Sequence, residues 1–491
     1  MNPLRKLAGQ TAIYGVSTIV ARLMNYLMVP MHTRIFSPPE YGIVGEMYAY
    51  VSLLIVLLTY GMETAFFRYY DKNGPDKDHV YNTTVFSLII TSFAFIVLTF
   101  IAAQPIANLI RYPQNSEYIR WFALIIAFDA LSTIPFAKLR AINRPKTFAF
   151  IKIFNICIYV GLNLFFLLVC PYMVKNNLLS GFTNLVYNPA VGVGYIFIAN
   201  LTASGITLLI LFIVVPISKL RMDSAIWKKM IRYALPLLIF GLAGIINETI
   251  DRVLLKYLSP QDIAMSQVGI YSACYKISIM MTIVIQAFKY AAEPFFFSQA
   301  REANAKSLYA DVMKYFVIVC SFIFLAIMLY IDVVKYFVGK AYFEGLAVVP
   351  ILLLANMFLG IFYNLSIWYK LTDKTRFGAY LSIFGAVITL VLNYMLIPRI
   401  GYMGSAWATF ACYCSMMVAS YFIGQKYYHV NYNIKRILLY ILAPVGIYFV
   451  STFIPFSAAW LHFSINTIFL LLFMAMVFAI EKPKQLKLTR K

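Results

Sequence analysis

A chain of 491 residues that is 62% hydrophobic and 12% charged, with a mean hydropathy of +0.78, has too little polar surface to coat a water-soluble globule. Its net charge of +22 comes from cations scattered in short segments between apolar runs, so a basic nucleic-acid-binding face is excluded and membrane lipids, anionic headgroups above all, are the expected partner. No cofactor or metal is expected. The six cysteines (Cys157, Cys170, Cys274, Cys320, Cys412, Cys414) sit in or at the ends of apolar segments without ligand spacing, and His32, His79, His429 and His462 are far apart in the chain.

In chain order, apolar runs of spanning length fall at Gly9–Met31, Gly42–Met62, Val80–Ala103, Tyr118–Ala137, Phe148–Cys170, Val191–Pro216 and Tyr233–Leu255. Seven more follow, at Val268–Tyr290, Tyr309–Ile331, Leu346–Tyr369, Gly378–Ile397, Met403–Gly424, Ile437–Pro455 and Trp460–Ile480. Each matches the roughly 20 residues that cross a ~30 Å hydrocarbon layer. None alternates apolar and polar residues as a barrel strand would, so each is read as a helix with internally satisfied backbone. The fold class is therefore an all-α polytopic membrane protein of about fourteen transmembrane helices. The first run is of full spanning length and lacks a cleavage signature, so it is read as a retained span and not as a signal peptide.

With the amino terminus inside, 28 of the 41 lysines and arginines fall in inner segments, including Lys138, Arg140, Arg144 and Lys146 between the fourth and fifth spans. Outer links hold nine, among them Arg34, Arg111, Arg252 and Lys256. This asymmetry places both termini and the Lys138–Lys146 loop in the cytoplasm and the link from Pro171 to Ala190 outside.

The chain also repeats itself. Pro38 and Pro260 are 222 residues apart, Gly42 and Gly269 are 227 apart, and Glu63 and Glu293, each closing a span, are 230 apart. Two pseudo-symmetric lobes are expected, a layout that recurs in secondary transporters. Residues 1–217 form the first (helices 1–6) and 218–424 the second (helices 7–12), followed by helices 13–14 and a basic tail over 425–491.

Ionisable residues inside spans cost about 2.5–3.5 kcal/mol on insertion scales, so they mark partners or a wet cavity. Thr11, Gly15, Thr18, Arg22 and Asn25 share one face of the first span, Gly241, Gly244, Glu248 and Asp251 one face of the seventh, and Ser272, Lys276, Thr282, Gln286, Lys289 and Glu293 a stripe of the eighth. Asp129 lies mid-way along the fourth. Arg22, Asn25, Asp129, Lys276 and Gln286 are the candidate cavity residues, and Glu248 and Asp251 the candidate ion-coupling pair. Structural alternatives stand beside these readings: Arg22 pairing with Glu46 or Asp129, Glu248 and Asp251 pairing locally with Arg252, and Lys152 and Lys289 snorkelling to headgroups. Catalytic and phosphate-loop motifs are absent, so an enzyme is not expected, and the N-x-[ST] triplets at Asn82, Asn200, Asn247 and Asn364 read as chance.

The opening Leu7 to Gly15, the turn Arg34…Ser37-Pro38-Pro39-Glu40-Tyr41-Gly42, the start Tyr233-Ala234-Leu235-Pro236 and the run Gly401 to Thr409 together resemble bacterial polysaccharide (O-antigen type) flippases of the multidrug/oligosaccharidyl-lipid/polysaccharide exporter superfamily. The resemblance runs from the first span through the twelfth. It implies a MATE-like fold in the bacterial inner membrane that moves an undecaprenyl-diphosphate-linked oligosaccharide between leaflets by alternating access, for surface polysaccharide biosynthesis. It also implies contact with polysaccharide assembly enzymes. On that expectation Arg22 is the first candidate ligand of the diphosphate and Lys276 the second, since an arginine fork matches phosphate oxygens. Glu248 and Asp251 depart from a purely cationic cavity. A cation-coupled exporter of the same fold, with cavity acids dominant, is the principal rival, and a membrane enzyme acting on lipid-linked sugars is the second.

Overall fold

The computed structural model describes residues 15, 17–72, 77–217, 221–300, 302, 304–454 and 459–481. Thr11, Lys219, Arg301 and both termini with their cations lie outside the described residues, as do the side chains of Lys72 and Glu293. Among the described residues 13 helices are long and apolar enough to cross a membrane, and they correspond one for one to the second through fourteenth expected spans. The first span begins outside them. It is helical over 17–26 (α1), turns at Leu27 and Met28, and resumes as α2 (Val29–Ile35), the break falling just before Pro30, whose ring does not fit inside an unbroken helix.

The chain divides into two compact units, Met1–Ser272 and Ala273–Lys491. The first holds α3 (Pro38–Thr59), α4 (Met62–Lys72), α5 (Lys77–Ile101), α6 (Ala103–Leu109), α7 (Ser116–Ala141), α8 (Pro145–Leu164), α9 (Gly194–Val214), α10 (Ser224–Leu258) and the start of α11 (Ala264–Gln299). Here α7 packs on α5 and α9, α8 on α9, and α3 on α10. The second unit holds the rest of α11, α12 (Ala305–Leu329), α13 (Val348–Leu365), α14 (Ile367–Leu371), α15 (Arg376–Ile400), α16 (Tyr402–Tyr427), α17 (Ile434–Thr452) and α18 (Ala459–Ile480). In it α16 packs on α13 and α15, and α12 on α17.

Helix ends follow local chemistry. Ser37 starts α3 with a capping box, its Oγ and N–H both donating to the Glu40 carboxylate, and Pro38 fits the first turn, where no intrahelical donor is needed. The Asp223 carboxylate caps α10 by accepting from the Ile226 and Ala225 N–H groups, and these donors hold it below the usual carboxylate range. That cap starts α10 nine residues before the apolar run at Tyr233. The fifth span continues from α8 through one π turn (Phe165–Val169) into Cys170–Lys175, the π turn absorbing Pro171, which has no N–H to donate. Large apolar side chains such as Ile101, Ile213 and Phe422 lie exposed on the helix surfaces, the inside-out pattern that lipid as solvent permits.

One crossing in the first unit is made without side chains. A Cβ on Gly42 would overlap the Met265 carbonyl oxygen, and a Cβ on Gly269 would overlap that of Pro38. The Gly42 amide nitrogen lies 3.0 Å from the Cβ position of Gly269, and the Gly269 amide nitrogen 3.2 Å from that of Gly42. Three residues further on, a Cβ on Gly45 would overlap the Ser272 side chain. Gly42 and Gly269 thus each meet the other's backbone, so α3 and α11 cross reciprocally. Gly269→Leu is expected to force the crossing apart at a cost of about 1–3 kcal/mol or more, whereas Gly244→Leu, which meets nothing within 4 Å, is expected to be tolerated. Thermal unfolding of the two purified variants checks the difference; equal stability would show that the crossing adjusts freely.

Candidate functional site

The interior of the first unit is polar where α7, α8 and α9 meet. Asp129 on α7 accepts a hydrogen bond from Ser204 Oγ of α9 at 2.7 Å. One turn further along α9, Thr207 Oγ1 accepts from Asn155 Nδ2 of α8 at 2.8 Å. Lys152 stands one turn before Asn155 and holds its ammonium 4.2 Å from the Phe136 ring centre. The charges that act on Lys152 are Asp129, Arg140, Glu63 and Arg22. Arg22, Lys152 and Asp129 therefore share one electrostatic neighbourhood, contributed by α1, α8 and α7. About 12 Å further along α8 from Asn155, Asn163 Oδ1 lies 3.0 Å from His32 Nε2, and one turn before Ser204 on α9, Asn200 Nδ2 donates to Tyr48 Oη at 2.9 Å.

The sequence-derived candidates are distributed unevenly. Arg22 and Asn25 are exposed on α1, and Asp129 is half-buried. Lys276 and Gln286 are half-buried on α11 in the second unit, and a rise of 1.5 Å per residue separates them by about 15 Å along the helix, so they do not converge. Asp251 is 2% exposed and accepts from Tyr271 Oη at 2.6 Å and from its neighbour Arg252 through both Nη1 (3.0 Å) and the backbone N–H (2.8 Å). Glu248, one turn away, has an exposed side chain and gives its carbonyl oxygen to Arg252 Nη1 at 2.8 Å.

Among the described residues the most buried charge pair lies elsewhere. Glu46 of α3 is 0% and Lys256 of α10 is 3% exposed; Lys256 Nζ lies 3.0 and 2.9 Å from the two carboxylate oxygens. Tyr50 and Tyr112 donate their hydroxyls to the same carboxylate, Lys256 Nζ donates to the Ile110 carbonyl, and it sits 3.7 Å from the Tyr112 ring centre. Lys256, counted above as an outer-link cation, thus belongs to the last turn of α10, where it is buried. Glu46 takes Lys256 as its ionic partner, which corrects the pairing with Arg22 weighed for it. Only the position of Glu46 inside the second span signalled that it needed a cation. Lys138 pairs with Asp78 at 3.1 Å and Arg140 pairs with Glu63, closing the opposite end of α7 with charge. Among the described residues no group of three histidine, cysteine or acidic side chains is placed to hold a metal ion.

An interior lined by cations, amides and hydroxyls is suited to receiving a polar or anionic group. The fold that carries it is shared with membrane flippases and transporters of the MOP superfamily. A lipid II flippase MurJ in an inward closed conformation superposes with a TM-score of 0.68 at 13% identity, covering 95% of this chain and 99% of that one. An inward-facing multidrug resistance MATE family transporter gives 0.66 at 13% identity, covering 84% and 94%, and its outward-facing conformation gives 0.60 at 13%, covering 87% and 96%. Sequence comparison finds no match among curated proteins. The profile of the family described as polysaccharide biosynthesis protein matches residues 31–347, and the chain belongs to that family.

Proposed function

We propose that the chain is a flippase that moves an undecaprenyl-diphosphate-linked oligosaccharide across the bacterial inner membrane, both termini cytoplasmic, by alternating access. Membership of a polysaccharide biosynthesis family across residues 31–347 is the observation that carries this reading. The similarity in fold to a lipid II flippase supports a lipid-linked substrate. In this reading Arg22, with Lys152 and Asp129 nearby, receives the diphosphate in the first unit, Asn25 contacts the sugar, and Lys276 and Gln286 serve the second unit. Glu248 is the stronger ion-coupling candidate, because the Asp251 carboxylate already accepts three hydrogen bonds. The remaining acids argue in the same direction. Among the described residues Glu46 is engaged by Lys256 and Asp129 lies in the field of Lys152, which leaves Glu248 as the acid to test and favours the flippase over a cation-coupled drug exporter.

The test is reconstitution of the purified protein into vesicles carrying a fluorescent polyprenyl-diphosphate oligosaccharide, with quencher added outside. Protein-dependent exchange of the label between leaflets is expected, without uptake of a cationic dye such as ethidium. Dye transport without lipid exchange would replace this reading with the exporter.

A further inference from the structure

The second unit contains a small open cleft where the end of α13, α14 and α11 meet. Its floor is apolar, made by Phe288, Ala292, Phe296 and Ile367, of which the last three belong to a buried cluster with Tyr309. Its rim carries two ammonium groups, Lys289 on α11 and Lys370 on α14, with Lys289 Nζ 4.6 Å from the Tyr363 ring centre. Between floor and rim lies Asn364, only 2% exposed, whose Oδ1 and Nδ2 are both buried without a hydrogen-bond partner. The neighbouring Ser366 hydroxyl is spent on the Tyr363 carbonyl, 2.6 Å away, so it does not serve the amide.

A buried amide with neither end satisfied costs about 1–3 kcal/mol, and native proteins rarely retain one without a use. Here it lines a cleft that also holds two cations and a greasy floor, near the ends of two membrane-length helices. That combination matches an amphiphilic anion at headgroup depth. Basic pockets between transmembrane helices bind phosphorylated headgroups, the phosphate meeting lysine point charges while the chains run down apolar side chains. We propose that this cleft is a binding site for the phosphate headgroup of a lipid, with Lys289 and Lys370 holding the phosphate and Asn364 Nδ2 donating to one of its oxygens. The site uses residues apart from Arg22, Lys152 and Asp129 and does not depend on the transport reading.

The test is displacement of a fluorescent phosphatidylglycerol from the purified full-length chain in neutral detergent by unlabelled phosphatidylglycerol, a polyprenyl phosphate, phosphatidylcholine or sodium phosphate. Both anionic lipids are expected to compete better than phosphatidylcholine and sodium phosphate. The stronger of the two identifies a resident phospholipid or the polyprenyl carrier as the source. At about 1 kcal/mol per lysine, Lys289→Gln with Lys370→Gln is expected to weaken phosphatidylglycerol binding by about thirty-fold. Asn364→Leu supplies a second readout, because an apolar residue relieves an unsatisfied amide. Its unfolding midpoint should rise while its affinity for the lipid falls. Unchanged affinity in both sets of variants, equal competition by phosphatidylcholine, displacement by sodium phosphate as strong as by lipid, or a lowered midpoint for Asn364→Leu would each overturn the site. None of these outcomes bears on oligosaccharide exchange, so the two proposals stand or fall separately.

Discussion

Replacing Lys256 by Met is expected to destabilise the protein by about 3–5 kcal/mol, the range for removing one partner of a buried ion pair. The reason is what remains. Glu46 is fully buried, and without Lys256 its carboxylate keeps only the Tyr50 and Tyr112 hydroxyls. A carboxylate so placed must either stay charged in a poor dielectric or take up a proton, and both outcomes cost stability. The Ile110 carbonyl would lose its donor as well. Glu46→Gln alone is expected to be costly for the converse reason, leaving a buried ammonium. Glu46→Gln combined with Lys256→Met should recover most of the loss, since a neutral pair of similar volume needs no counter-charge. Unfolding of the four proteins in detergent completes the cycle. Losses below about 1 kcal/mol in both single variants would show that the pair is hydrated and contributes as little as a surface ion pair.

The second large effect is on transport. Arg22→Ala is expected to leave protein abundance near normal, because an exposed side chain seldom carries more than about 0.5 kcal/mol of stability. Export of surface polysaccharide should nevertheless fall by about ten- to a hundred-fold, the equivalent of losing one hydrogen bond to a charged group at about 1.5–3 kcal/mol. Arg22→Lys keeps the charge and loses the fork, so intermediate export is expected. Arg22 and Asp129 both act on the charge of Lys152, and this offers a direct control. If Arg22 only balanced Asp129, abundance would drop in Arg22→Ala and return when Asp129→Asn is added. Normal export from Arg22→Ala would remove Arg22 from the substrate path.

The spans were legible in the sequence because hydrocarbon demands long unbroken apolar runs, and thirteen of the fourteen expected runs have a matching helix among the described residues. Their ends were less so. Helix α10 begins at Ser224 because of a cap at Asp223, a signal that hydropathy does not carry. Partnerships were the least legible part. Glu46 and Lys256 are 210 residues apart, and Lys256 sits close enough to the end of an apolar run to be counted with the loops. Lys152 resembles a snorkelling lysine by position, yet its ammonium stacks on Phe136 and shares the field of Asp129. Asn364 is another case. In sequence it stands in a chance N-x-[ST] triplet, and its significance comes only from burial without a partner beside two lysines brought from separate helices.

The crossing of α3 with α11 also bears on how these helices can shift. A contact held by side chains can yield through a change of rotamer, whereas two touching backbones have no rotamer to change. Gly42 and Gly269 each bring a bare Cα to the carbonyl four residues before the other, so main chain alone sets the spacing of the two helices here. Three residues on, the Ser272 side chain stands opposite Gly45, so there one helix supplies a side chain and the other the space for it.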